Sequence, residues 1–327
     1  MKILTIIFFI LISNTFALNL SDKVTVSGIS SGGFFAHQFH IANSSLVEGA
    51  AIFAAGPYYC AKGTVALATN TCMKGNGIWG SGYQSYLFAS GLAMMGLIDP
   101  ISNLKEDRVF IFSGQNDETV VSSVSEELRD LYAFFGVKKL AYEGTLAAGH
   151  TFPTENKGIE CEVSKVPYIG NCNYNGALIS LTTLYPDKKQ RRFTLKGKTE
   201  EIDQTNYYSA FDVGVFSPLL QDKAYLYIPS RCKGSRRCEL HIAFHGCKQT
   251  IDHIDMGYMD DTGIKEAADK LDLVVLFPQA KKSMIPGRNP HGCWDWWGHS
   301  GANYHLKDGQ QMRIIKAMVL DILQKSK

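Results

Sequence analysis

The stretch VTVSGISSGGFFAHQF, residues 24–39, sets a serine between two glycines in the pattern Gly-x-Ser-x-Gly. Val24, Thr25 and Val26 precede it as a strand and a helix-like run follows, the context of a nucleophile elbow. Gly28 and Gly32 leave out the Cβ atoms that would collide with a neighbouring strand or helix. Such a turn holds Ser30 in a strained conformation and lifts its hydroxyl above a sheet. The helix N-terminus behind it favours developing negative charge. The plainer alternative is a glycine-rich turn with a capping serine.

A serine hydroxyl is a poor nucleophile without a base, and the base needs an orienting carboxylate. In an α/β-hydrolase the three occur in the order serine, acid, histidine, on loops after successive strands. The segment DRVFIFSGQNDETV supplies a strand over 108–112 and then Asp117 in the following loop. Asp107 precedes that strand and Glu118 points away as a helix begins, so Asp117 is the expected acid; its competing role is a helix N-cap. LAYEGTLAAGHTFPT supplies the next strand, a loop of small residues and His150, the expected base. His37 and His40 are expected on the flank of the helix after the elbow.

Ester chemistry also needs two N–H donors for an oxyanion. One comes from the residue after the nucleophile, Ser31. The other normally lies on a His-Gly loop that precedes the elbow in the chain. No such loop precedes Ser30. One stands near the other end, in CELHIAFHGCKQT, where a strand over 240–244 runs into His245-Gly246-Cys247. A helix-like DTGIKEAADKLD and a strand in LVVLFPQ follow it. The order of elements therefore reads as a circular permutation, which is tolerable where the original termini lie close together on the surface. The plain alternative for His245-Gly246-Cys247 is a strand-ending turn.

The elements that must position these residues alternate between strand and helix. Strands are expected over 23–27, 49–54, 108–112, 139–142, 224–228, 240–244 and 273–277, several of them short apolar runs suited to buried parallel strands. Helices are expected over 34–42, 84–95, 121–135, 263–270 and 309–324. The last sets Met312, Ile315, Val319 and Ile322 on one face. The pattern argues α/β, with a mainly parallel central sheet and helices on both faces. Residues 155–222 are polar and harder to read, and the run Lys188-Lys189-Gln190-Arg191-Arg192 is expected as solvated surface.

The chain has 327 residues and a formal net charge of +2, with 45% hydrophobic and 20% charged residues. That balance suits a packed globular protein and gives no nucleic-acid footprint. Lys2, the apolar run Ile3 to Ile12 and the ending Thr15-Phe16-Ala17 read as a signal peptide over 1–17. Residues 18–327 are then expected as one exported catalytic domain, extracellular or periplasmic, with no membrane span. Export makes the eight cysteines readable as disulfides. Proximity favours Cys60 with Cys72, Cys161 with Cys172, and Cys232 with Cys238, leaving Cys247 with Cys293; the count alone allows about a hundred connectivities. Cys-x-x-Cys spacing is absent, and no metal is expected. Asn43-Ser44-Ser45 is a sequon.

Taken together, GISSGG, SGQND, AGHTFP, IDQTNY, AFHGCKQ and NPHGCWDWWG, in that order, make the sequence resemble the extracellular poly(3-hydroxybutyrate) depolymerases of the single-domain, circularly permuted α/β-hydrolase type. The resemblance covers nearly all of residues 18–327. It implies Ser30 as nucleophile, Asp117 and His150 as its partners, and the amides of Ser31 and Cys247 as the oxyanion hole. It implies hydrolysis of a polyester or oligoester through an acyl-enzyme, with no cofactor, and a single-domain monomer is expected. Trp294, Trp296 and Trp297 are candidates to wall an apolar crevice for an aliphatic chain, although tryptophans also pack cores. No polymer-adsorbing domain or threonine-rich linker is apparent, which leaves amorphous polymer and soluble oligomers as expected substrates. Two rivals share the scaffold: an esterase for feruloyl, acetyl or short-chain esters, and a non-catalytic binding protein.

Overall fold

The computed structural model describes residues 18–326, apart from 78–79, 193–195 and 215–216. The leader expected over 1–17 lies outside the described residues. Eleven strands are described: β1 (Asn19–Ile29), β2 (Val47–Phe53), β3 (Arg108–Phe112), β4 (Lys139–Glu143), β5 (Phe152–Thr154), β6 (Ile159–Glu160), β7 (Ile169–Asn171), β8 (Lys198–Asp203), β9 (Lys223–Ile228), β10 (Arg237–Phe244) and β11 (Leu273–Phe277). Eight form one sheet in the order β4-β3-β2-β1-β10-β11-β9-β8, and β5-β7-β6 form a smaller one. The pairs from β4 through β11 are parallel; β9 runs antiparallel to both β11 and β8.

The described helices of eight residues or more are α1 (Ser31–Ala42), α2 (Gly82–Met94), α3 (Ser122–Phe134), α4 (Gly176–Leu184), α5 (Ile264–Leu271) and α6 (Gln310–Lys325). Successive strand residues point to opposite faces, so each central strand feeds two cores. Val24, Val26, Ile242 and Phe244 join one core with residues of α1, α3 and α6. Phe53, Phe112, Val275 and Phe277 join the other with residues of α4 and α5. Helices thus cover both faces of a mainly parallel sheet, as the alternation of elements implies.

Every residue of α1 is buried. That burial explains why its sequence, SGGFFAHQFHIA, lacks a polar stripe: a helix wrapped on all sides has no solvent face to mark. Phe35 packs against Phe244 and Trp294 with ring centroids 5.0 and 4.9 Å apart. Full burial of one such phenylalanine contributes roughly 1.5–3 kcal/mol. The histidines expected on the flank of α1 are instead inside. His40 lies between Asp107 Oδ2 and the Tyr132 hydroxyl, each 3.0 Å away. Asp107 is therefore committed to a structural pair, and Glu118 is exposed.

All seven expected strands and all five expected helices are present within a few residues. The small sheet, β8 and α4 were not read from the sequence. Apart from β5, which directly follows His150 and Thr151, they fall in the polar segment over 155–222, where strands of two or three residues carry no periodic signal. All four disulfides favoured by proximity are formed: Cys60–Cys72, Cys161–Cys172, Cys232–Cys238 and Cys247–Cys293. No helix among the described residues is long and apolar enough to cross a membrane.

Candidate active site

β1 ends at Ile29, α1 begins at Ser31, and Ser30 is the single residue between them. Its backbone sits at φ 56° and ψ −124°, a conformation that L-residues rarely adopt. The flanking glycines make the turn possible. A Cβ on Gly28 would lie 2.2 Å from the Gly32 carbonyl oxygen. A Cβ on Gly32 would lie 2.3 Å from the carbonyl oxygens of Phe244 and His245. The helix start is thus pressed against β1 and the end of β10, and the turn points the Ser30 side chain into a crevice.

Ser30 Oγ is 2.9 Å from His150 Nε2, and His150 Nδ1 is 2.7 Å from Asp117 Oδ2. The other Asp117 oxygen accepts the N–H groups of Thr119 and Val120 at 2.8 and 2.9 Å. Asp117 therefore also performs the capping role weighed against it. The carboxylate is held at both oxygens and cannot turn away from the imidazole. The small sheet fixes the His150 loop: Gly149 N–H donates to the Cys161 carbonyl at 2.9 Å, and His150 N–H donates to Ser164 Oγ at 2.8 Å. The Cys161–Cys172 disulfide ties down that segment.

The amides of Ser31 and Cys247 have no acceptor among the described residues. Cys247 and Ser30 line the same crevice. The His245-Gly246-Cys247 turn is clamped from two sides. His245 Nδ1 lies 2.8 Å from the Gly246 carbonyl oxygen, and Ala280 N–H donates to His245 Nε2 at 3.1 Å. Burial lowers the His245 pKa to about 4, so the ring is neutral, donating at Nδ1 and accepting at Nε2. The Cys247–Cys293 disulfide joins the turn to the GCWDWWG segment.

The crevice measures about 440 Å³. Apolar side chains that include Phe34, Val120 and Trp296 wall one side of it. Trp296 stacks on Phe34 with ring centroids 4.0 Å apart, and Trp297 stands edge-on to Trp296. Trp294 does not reach the crevice. It is wholly buried among Phe35, Phe244 and His245. Of the three candidate tryptophans, Trp296 and Trp297 are positioned to meet a ligand, and Trp294 packs the core beneath them.

Comparison with known proteins places this geometry. The family model described as Esterase PHB depolymerase matches residues 223–324. A poly(3-hydroxybutyrate) depolymerase of Delftia acidovorans is 36% identical over 306 residues, which are 91% of this chain and 59% of that protein. The chain thus spans about three fifths of that relative's length. A polyhydroxybutyrate depolymerase of Talaromyces funiculosus is 33% identical over 324 residues, covering 92% of this chain and 90% of the relative. The chain belongs to the poly(3-hydroxybutyrate) depolymerase family. Two solved structures agree in fold. A PHB depolymerase variant complexed with R3HB trimer superposes with a TM-score of 0.85 at 31% identity, over 95% of this chain and 99% of that one. The PHB depolymerase of Penicillium funiculosum superposes with a TM-score of 0.84 at 30% identity, with the same coverage.

Three supporting residues of this depolymerase-family site were not singled out from the sequence. Gln249 is buried; its Oε1 accepts the Gly246 N–H at 2.7 Å, and its Nε2 donates to the carbonyls of Pro167 and Tyr168 at 2.9 and 3.1 Å. Tyr168 stands edge-on to His150 with ring centroids 6.0 Å apart. Ser164 holds the His150 amide. Gln249 lies within AFHGCKQ, so its position was visible but its role was not. Ser164 and Tyr168 lie in the segment without a periodic signal.

Proposed function

We propose that the chain is an exported, single-domain serine esterase that hydrolyses poly(3-hydroxybutyrate) or its soluble oligomers. The observation that carries this reading is the hydrogen-bond chain Ser30–His150–Asp117 opening into an apolar crevice beside two unengaged amides. Family membership supports the substrate class. The position of β10 beside β1, with its His-Gly turn late in the chain, supports the permuted order of the α/β-hydrolase fold. Four disulfides support export.

In this mechanism Ser30 Oγ attacks the ester carbonyl while His150 Nε2 takes its proton. The Asp117 carboxylate keeps the Nδ1–H tautomer and stabilises the imidazolium. The carbonyl oxygen becomes an oxyanion between the amides of Ser31 and Cys247 at the positive end of α1. His150 returns the proton to the departing alkoxide, leaving an acyl group on Ser30. Water then attacks that ester with His150 again as base, releasing a carboxylate and restoring Ser30. Trp296, Trp297 and Phe34 give a flexible aliphatic chain apolar surface without demanding hydrogen bonds from it.

A test between ester classes compares hydrolysis of a 3-hydroxybutyrate trimer with that of feruloyl and acetyl sugar esters. The trimer is expected to be cleaved with much the higher kcat/KM. Preferred cleavage of an aryl or acetyl ester would replace the polyester reading with that of another carboxylesterase. No ester hydrolysis at all would leave a binding protein on the same scaffold.

A further inference from the structure

A neutral polyester needs no charge in its binding site, yet this crevice is charged with one sign. Lys248, Arg288 and His291 line it alongside His150, and no aspartate or glutamate does. Arg288 is engaged: its Nε donates to the His299 carbonyl and one terminal nitrogen to the Ser217 carbonyl, each at 3.1 Å. Lys248 is different. Its ammonium has no hydrogen-bond or ion-pair partner among the described residues, and the side chain is only half-exposed.

The backbone holds Lys248 in place. It follows Cys247 directly, sits at φ 60°, and donates its N–H to the His291 carbonyl at 2.8 Å. The Cys247–Cys293 disulfide closes the same loop pair two residues beyond His291. Lys248 and His291 therefore stand as neighbours in the lining of the crevice. Their surroundings carry both signs. His253 feels both Lys282 and Lys248, and Asp252, the acidic group facing it, accepts from Gln221 Nε2 at 2.7 Å. Burial first, then Lys248 and His253, lower the His291 pKa, which favours the neutral ring as a donor beside the Lys248 side chain. Uncompensated cations in a partly desolvated cleft focus a field on whatever anion fits there.

We propose that Lys248, assisted by His291, forms a subsite for the terminal carboxylate of a 3-hydroxyalkanoate chain. The inference rests on the polyester reading given above. In such a chain the hydroxyl-terminal half forms the acyl-enzyme on Ser30, and the leaving half keeps the carboxylate terminus. His150 protonates the oxygen released on that leaving half. A carboxylate held by Lys248 therefore places a short carboxylate-terminal unit on the departing side. The site selects chain ends over chain interiors and takes soluble oligomers readily.

The experiment compares the 3-hydroxybutyrate trimer bearing a free carboxylate with its methyl ester, at low ionic strength, in the native protein, Lys248→Met and Lys248→Arg. The readout is the ratio of the two kcat/KM values, acid over methyl ester. The native ratio is expected at about two- to fivefold, the worth of a partly exposed ion pair. It should fall toward one in Lys248→Met, persist in Lys248→Arg, and shrink as sodium chloride is added. Methionine keeps the unbranched apolar stem, and hydrolysis of the methyl ester reports that the variant is folded. Should that variant fail to fold, Lys248→Gln and the salt titration of the native protein give the same reading. A native ratio near one, or a ratio kept in Lys248→Met, would overturn the subsite while leaving the polyester reading intact. If neither trimer is cleaved while p-nitrophenyl butyrate is, the polyester reading fails and takes the subsite with it.

Discussion

Asp117 is engaged at both carboxylate oxygens, one in the architecture and one in the proposed chemistry. One oxygen caps the turn through Thr119 and Val120, and the other faces His150. In Asp117→Asn the capping oxygen survives, but an amide N–H then meets His150 Nδ1 and imposes the wrong tautomer. Kinetics should show kcat lowered by roughly 10³–10⁴ with KM little changed and the melting temperature close to native. A loss of folding instead would mean that the contact between the Asp117 carboxylate and His150 also holds the fold. Gln249 permits a finer test. In Gln249→Glu the acceptor for Gly246 remains, while a carboxylate oxygen replaces the donor to the Pro167 and Tyr168 carbonyls. Steady-state rates should show kcat falling by about tenfold or more, because the turn that carries the Cys247 amide loosens. The hydrogen-bonded trio Ser30, His150 and Asp117 was legible because each member follows a strand in serial order. Gln249 was not, because a buried amide bridging two loops leaves no mark of spacing or periodicity.

The contact between β1, α1 and β10 rests on Gly28 and Gly32. Replacing Gly32 by alanine puts a methyl group against the backbone oxygens of Phe244 and His245, which no side-chain movement relieves. Gly32→Ala should fold poorly or not at all, read as a lost or strongly lowered unfolding transition. A native transition would show that α1 has room to retreat from β10. The Cys247–Cys293 link closes a loop of 46 residues, worth about 4 kcal/mol in chain entropy. Replacing both cysteines by serine should lower the melting temperature and reduce kcat more than KM, since the link also steadies the Cys247 turn. Both elements were readable in advance: the elbow glycines from the steric demand of the turn, and the pairing from cysteine proximity. β5, β6, β7 and α4 were not, because their short or evenly apolar runs take shape only by packing on the His150 loop and the second core.

Across the whole molecule, protonation works against the fold below neutrality. His37, His241 and His245 are fully buried, and burial lowers their pKa values to about 3, about 3 and about 4. In the unfolded chain they titrate near 6.5. Above that pH both states hold them neutral and they add no pH dependence. Between about 6.5 and 4 the unfolded chain binds protons that the folded state refuses, so stability falls as pH falls, by on the order of 1.4 kcal/mol per group per pH unit. Denaturant titrations from pH 7 to 4 should show this decline, and His241→Gln should lessen its slope. A flat profile would mean that these rings are protonated in the folded state. The mainly parallel sheet was legible from its apolar runs. The neighbouring of β1 and β10 carries no periodic signal in the sequence, and it suits the proposed oxyanion loop, which would have to lie beside the elbow wherever it stood in the chain.

The most direct test of the account measures acid release from amorphous poly(3-hydroxybutyrate) and from its soluble trimer by the native protein and by Ser30→Ala. The account expects release from at least one substrate by the native protein and a loss of roughly 10⁴-fold or more in the variant. Retained hydrolysis in Ser30→Ala, or cleavage of simple butyrate esters but of neither polymer nor trimer, would contradict it.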